Sequence, residues 1–173
     1  MSNHQWLVTG IATAILAQAV LLGGMVARAA YPLWAGQEVR VKTTPVDPRS
    51  WFRGNYARLN YDFSRLPTAA FGDSKPERSG EVVYVTMVEK DGLYEATSAS
   101  VTQPDSGVFL RARVTHAGDP TIRLRYGIEA WFAPKEQALE LEKRLRRVGA
   151  IATLMVSDSG RAALRAIEPP KVR

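Results

Sequence analysis

Hydrophobic positions along this chain fall into two regimes. From Gln5 to Ala27 they are nearly continuous, and the stretch WLVTGIATAILAQAVLLGGMVA carries no charged residue. As a helix rising ~1.5 Å per residue it reaches across the ~30 Å of hydrocarbon in a bilayer. A core helix of this length in a soluble protein normally shows a polar face, and this one shows none. Trp6 at one end, and Tyr31 and Trp34 at the other, suit the two interfacial belts. The pattern predicts a transmembrane anchor over residues 1–30 and a linker over 31–36, where Pro32 and Gly36 sit.

Beyond Gly36 the period changes to two. In EVRVKT (Glu38 to Thr43), Val39 and Val41 oppose Arg40 and Lys42, which is a half-buried strand. PVDPRSWFRG carries two prolines and predicts an ordered loop. YARLNYDF resumes strand character, and Pro67 to Gly80 is turn-rich and predicts a surface loop. EVVYVTMVE and LYEATSAS form a hairpin about Lys90-Asp91-Gly92. GVFLRARVT and TIRLRYGIE alternate on either side of the loop HAGDP. AIATLMVS and RAALRAIE flank the turn Asp158-Ser159-Gly160. One further helix is expected from Pro134 to Val148, with Ala138, Leu141, Leu145 and Val148 on its apolar stripe and Gly149 at its end. The predicted fold class is α+β: an N-terminal transmembrane helix, then a mostly antiparallel β-sheet domain over 37–168 with one packed helix, and a tail over 169–173.

Composition changes this picture in two ways. Cysteine is absent, which removes disulfides, thiolate catalysis and cysteine-based metal sites, and fits either side of a bacterial inner membrane. The net charge of +6 lies wholly on the body, since the first 27 residues hold no acid, lysine or arginine. A basic body tethered to an anionic bilayer is drawn to the headgroups, whereas no nucleic-acid-binding motif accompanies the charge. The lipid bilayer is thus the first expected partner. Ala27-Arg28-Ala29 has the form of a signal-peptidase site, but the first five residues lack Lys and Arg and the apolar run is longer than a usual signal core. The basic residues Arg28, Arg40 and Lys42 after the helix favour a cytoplasmic body by the positive-inside rule. An N-terminal anchor before a large domain usually exports that domain. The expectation is a single-pass inner-membrane protein with a periplasmic body.

Candidate chemistry is sparse. His4 and His116 are too far apart in the chain's organisation to share a metal, and neither a metal nor a cofactor is implied. Ser157, Ser159, Asp158 and His116 have no spacing that asks for a hydrolytic triad, and no Gly-rich loop precedes a helix. The basic positions are more suggestive. Arg40, Lys42, Arg111, Arg113, Arg123 and Arg125 all oppose the apolar face of their strands. On neighbouring strands they would form one cationic face, which needs acidic partners or a ligand because like charges opposite each other are destabilising. Glu38, Glu95 and Glu129 are the candidate acids for a solvated face. Lipid headgroups, anionic glycan or an acidic partner are the candidate ligands.

The stretch GNYARLNYD is the other candidate. In an extended chain Leu59 and Tyr61 share a face and Tyr56 points the other way, while Gly54 and Asn55 suit a tight turn. The segments RGNYARLNYD, EVVYVTMVEKDGLYEA, GVFLRARV, RLRYGIEAWFAPKEQALELEKRL and SDSGRAALRAI resemble, in order, those of the bacterial GDYXXLXY protein family. The resemblance implies a membrane-anchored protein without assigned activity, similar to accessory proteins encoded beside multi-pass membrane proteins. It places the motif on Gly54, Asn55, Tyr56, Leu59 and Tyr61, with Asn55 where the family pattern has Asp. Asn keeps the turn geometry and loses the charge.

PVDPRSWFRGNYARLNY also has a fainter similarity to membrane-bound signal peptidases. Pro45 stands where their serine would be, and no lysine follows between Lys42 and Lys75. A nucleophile and base are missing. The expected function is therefore a non-catalytic accessory or binding domain beside a multi-pass membrane partner. An anion- or lipid-headgroup-binding module using the basic face is the alternative, and a membrane-bound hydrolase comes last.

Overall fold

The computed structural model describes residues 3–45, 56–132 and 150–168. The apolar run forms one helix, α1 (Asn3–Ala35), whose side chains from Gln5 onward are almost all uncovered by the rest of the protein. By length and composition it is a candidate membrane span. Its two threonine hydroxyls, at Thr9 and Thr13, donate back to the carbonyls of Gln5 and Thr9 at 2.9 Å, which removes polar groups that hydrocarbon would leave unpaired.

The linker expected over 31–36 is instead the last turn of this helix. Proline lacks only its own N–H, and so close to the helix end it costs a single bond, the one to the Arg28 carbonyl. Pro32 is buried, and its carbonyl accepts from Gly36 N at 2.9 Å, where the helix stops. The foot of α1 is thereby held against the body. A side chain at Gly36 would run into the backbone of Val156.

The body is built from ten strands among the described residues: β1 (Gln37–Pro45), β2 (Tyr56–Tyr61), β3 (Arg65–Pro67), β4 (Val82–Lys90), β5 (Leu93–Ser100), β6 (Val108–His116), β7 (Thr121–Arg125), β8 (Ala130–Phe132), β9 (Ala150–Val156) and β10 (Ala162–Glu168). They form two curled antiparallel sheets, in the orders β10-β9-β1-β2-β8 and β3-β7-β6-β4-β5. Alternation decides the inner faces. Val39, Val41, Leu59, Tyr61, Ala152 and Leu154 from the first sheet meet Val83, Val85, Leu110, Ala112, Val114, Ile122 and Leu124 from the second in one buried core. The α+β class holds, with one long N-terminal helix followed by a pair of antiparallel sheets.

Both expected hairpins form. The β4–β5 turn places Asp91 and Gly92 at positive φ (54° and 77°), the conformation that a two-residue primed turn demands. The β9–β10 turn ends at Gly160 (φ 75°), whose carbonyl accepts from Arg111 N of β6 at 2.7 Å. That bond ties the first sheet to the second where β7 has ended.

Several elements differ from expectation. The strand expected over YARLNYDF stops at Tyr61, and Asp62–Ser64 coils into a 3-10 turn that buries Phe63. The expected surface loop from Pro67 begins on β3 and continues as a 3-10 turn, Thr68–Phe71, with Phe71 in the core. The strand expected over TIRLRYGIE ends at Arg125, because Gly127 adopts φ 88° and turns the chain toward the short β8. The helix expected over 134–148 lies outside the described residues, as do the loop over 46–55 and the tail.

Candidate functional site

Two of the five motif residues can be placed in full. Leu59 and Tyr61 lie on the inner face of β2, 3% and 1% exposed. Tyr56 is described through its backbone, which pairs with Phe132 of β8. Gly54 and Asn55 lie outside the described residues. What Leu59 and Tyr61 do is grip the chain between β7 and β8. Leu59 N donates to Glu129 O, and the Tyr61 hydroxyl donates to Ile128 O, both at 2.8 Å. The Tyr61 ring stacks on Phe63 at 5.1 Å, and Phe63 meets Tyr126 edge-on at 5.0 Å. Tyr126 returns the favour by donating its hydroxyl to Phe63 O at 2.8 Å. The Glu129 carboxylate accepts from the backbone N–H of Tyr126 and of Gly127. Burial, with the Glu129 charge second, pushes the Tyr61 and Tyr126 hydroxyls well above the ordinary phenol range. Both remain neutral donors, and this part of the motif is a clasp.

The clasped segment is one wall of an open cleft of about 760 Å³. Arg125, Tyr126, Gly127 and Ile128 form that wall, β6 supplies Arg111 and Arg113, the start of β10 follows Arg161, and the foot of α1 contributes Arg28, Ala29 and Pro32. Five arginines from four parts of the fold therefore line one space, although the Arg113 guanidinium donates to Gly80 O at 2.6 Å. Arg113 and Arg125 stand directly opposite in the β6–β7 register, an arrangement that repels without a counter-charge. The Arg161 guanidinium is held below the usual arginine range, by burial first and then by Arg28 and Arg111.

The three acids expected to neutralise the arginines are engaged elsewhere. Glu38 pairs with Arg165 at 3.8 Å and Glu95 with Lys90 at 4.0 Å. Glu129 is committed to the two backbone N–H groups of the clasp. Among the described residues no carboxylate lies within ion-pair distance of Arg28, Arg111, Arg113, Arg125 or Arg161.

Of the six basic residues singled out in the sequence, three meet in this cleft: Arg111, Arg113 and Arg125. Arg40 and Lys42 are carried by β1 in the other sheet, so the six do not form one face. Lys42 borders a smaller cleft of about 260 Å³ that also holds Asp62 and Glu95. Arg123 is exposed on β7, across from Arg65 of β3. Arg28 and Arg161 were not anticipated. Their signal in the sequence is position: one is the first charge after the apolar run, and the other follows the hairpin glycine. No periodicity joins them to β6.

Other chemistry finds little footing. Among the described residues there is no group of three or more His, Asp or Glu side chains placed to hold a metal ion. Ser157 and Ser159 hydroxyls lie 3.0 Å apart, and Ser157 donates to Arg161 O at 3.3 Å, so these hydroxyls serve the turn. No curated protein and no solved structure matches the chain. The family model described as GDYXXLXY protein matches residues 18–167, from the middle of α1 to the last strand. With most of its length matched, including the clasp and the cleft, the chain belongs to the GDYXXLXY protein family.

Proposed function

We propose that this protein is a membrane-anchored, non-catalytic accessory domain whose arginine cleft binds an anionic, phosphate-bearing ligand. The observation that carries the reading is five arginines lining one cleft with no carboxylate in ion-pair range among the described residues. Guanidinium groups are suited to phosphate because their planar N–H forks match its oxygens two at a time. An accessory role beside a multi-pass partner rests on the family resemblance, and a binding module of this kind is compatible with it.

The test uses the full chain in nonionic detergent with inorganic pyrophosphate as the probe. A ligand at ~100 times its Kd stabilises the folded state by about 2.7 kcal/mol, so the thermal midpoint should rise measurably. The rise should shrink with added salt, which screens charges beyond ~10 Å at 0.1 M. It should vanish in Arg111→Gln combined with Arg161→Gln. Equal stabilisation of wild type and variant would remove the cleft from the reading.

The anchor is proposed to stay attached, with the body on the periplasmic side of a bacterial inner membrane. Retention is supported by the docked foot of α1 and by a family match that begins inside the helix. Alkaline phosphatase fused after Arg173 should be active, and green fluorescent protein fused there should be dark. The opposite pair of results would place the body in the cytoplasm.

A further inference from the structure

The cleft has an apolar half that a simple anion does not use. Beside the guanidinium groups its walls carry Ala29, Pro32, Val82, Ile128, Ala162 and Leu164. At about 760 Å³ it falls in the range of roughly 300–1,000 Å³ that accommodates drug-sized ligands. A bare phosphate would leave most of that space, and the uncovered parts of Ala29, Val82, Ala162 and Leu164, facing water. The ligand that satisfies both halves is an amphiphile.

Position selects the kind of amphiphile. One wall of the cleft belongs to α1 itself, through Arg28, Ala29 and Pro32. Arg28 is the first charged residue after the uncharged run that starts at Gln5. At ~1.5 Å per residue that run matches roughly 30 Å of hydrocarbon, which sets Arg28 at the depth of lipid phosphates. The cleft therefore opens where the helix leaves the bilayer, and a lipid can enter it sideways without leaving the leaflet.

Building on the anion-binding reading above, we infer that the ligand is an anionic phospholipid. Its phosphodiester sits on Arg28, Arg111 and Arg161, and its glycerol and first methylenes lie against Ala29, Ala162 and Leu164. A lipid seated this way touches anchor and body together. It adds a second tie between two parts that otherwise meet at the Pro32–Gly36 turn and along β9 and β10, and so fixes how the body stands on the membrane.

Full-length protein in nonionic detergent is titrated with dioctanoyl phosphatidylglycerol and, separately, with glycerol 3-phosphate, which keeps the phosphate and lacks the chains. Burying two methylenes is worth roughly a tenfold gain in affinity, so the lipid should bind about tenfold tighter or better. Dioctanoyl phosphatidylcholine, whose net charge is zero, should bind more weakly than phosphatidylglycerol. Arg111→Gln with Arg161→Gln should lose both anionic ligands. Arg40→Gln with Arg123→Gln removes the same charge away from the cleft and should change neither affinity. Circular dichroism melts establish that each variant is folded, and Arg28→Gln with Arg125→Gln replaces the first pair should that pair misfold. Glycerol 3-phosphate binding as tightly as phosphatidylglycerol overturns the lipid assignment and leaves the anion reading standing. Binding of neither overturns both. Phosphatidylglycerol binding that survives loss of the cleft arginines also overturns the assignment, since the lipid would then sit on the apolar surface of α1.

Discussion

Tyr61→Ala is expected to cost about 3–5 kcal/mol, the usual range for emptying a buried aromatic site, and Tyr61→Phe about 1–3 kcal/mol for a buried acceptor left unpaired. The two numbers separate the jobs of one side chain. Its ring, 1% exposed, fills the core and stacks on Phe63. Its hydroxyl holds the Ile128 carbonyl, and with it the wall of the arginine cleft. Leu59→Ala should fall at about 2–5 kcal/mol, because it removes packing and leaves the Leu59 N–H bond to Glu129 in place. Urea unfolding of the full chain in detergent, followed by circular dichroism, gives all three. The hydroxyl also imposes an alkaline limit. Its pKa is raised in the folded state above the ordinary value of 10.0, so its contribution is complete below pH 10 and is lost as the pH climbs above it. That loss should be smaller in Tyr61→Phe. A Tyr61→Ala variant that unfolds with wild type would show that the motif is not a clasp.

How much of this could be read from the chain depends on what kind of fact is asked for. The inner and outer faces of the strands were legible, since alternation at Val39 and Val41, or at Leu110, Ala112 and Val114, depends only on each strand and water. The number of sheets was not. Alternation says which face is buried and nothing about which strand lies beside it, so β1 and the β6–β7 pair look alike in sequence while lying in different sheets. The same gap governs the candidate site. Arg111, Arg113 and Arg125 are recognisable as a cationic face on local grounds, and Arg40 and Lys42 are recognisable on the same grounds but belong elsewhere. Arg28 and Arg161 join the cleft through the docking of α1 and the tilt of the β9–β10 hairpin toward Phe109 and Arg111. Those are tertiary contacts without a local period. The motif tyrosine is intermediate. Its burial follows from its place in β2, but the partner of its hydroxyl lies 67 residues away.

The junction at Gly36 offers the sharpest test of whether anchor and body act as one unit. Gly36→Ala adds a single methyl group, usually a mild change. Here the new Cβ would overlap the Pro32 carbonyl oxygen and stand 2.9 Å from Val156 N and 3.0 Å from Val156 O. All three are backbone atoms, which cannot swing aside as a side-chain tip can. Pro32 cannot yield easily either, because its ring is buried against the body. The strain is relieved only if the last turn of α1 opens at the Gly36–Pro32 bond and its foot moves away from β9. The buried core between the sheets does not include Gly36, so the body should keep its fold and its circular dichroism. The cleft should not keep its shape, because α1 carries Arg28, Ala29 and Pro32 out of it. Losing one charge-assisted contact to phosphate costs about 1.5–3 kcal/mol, or roughly 10–100-fold in affinity. Pyrophosphate binding to the full chain should weaken by that factor, and limited proteolysis should begin to cut between Ala35 and Gln37. Arg28→Gln in an otherwise native chain should reproduce the affinity loss without the new cleavage. Wild-type affinity together with wild-type protection in Gly36→Ala would mean that the helix foot and the body are independent, and that the cleft belongs to the body alone.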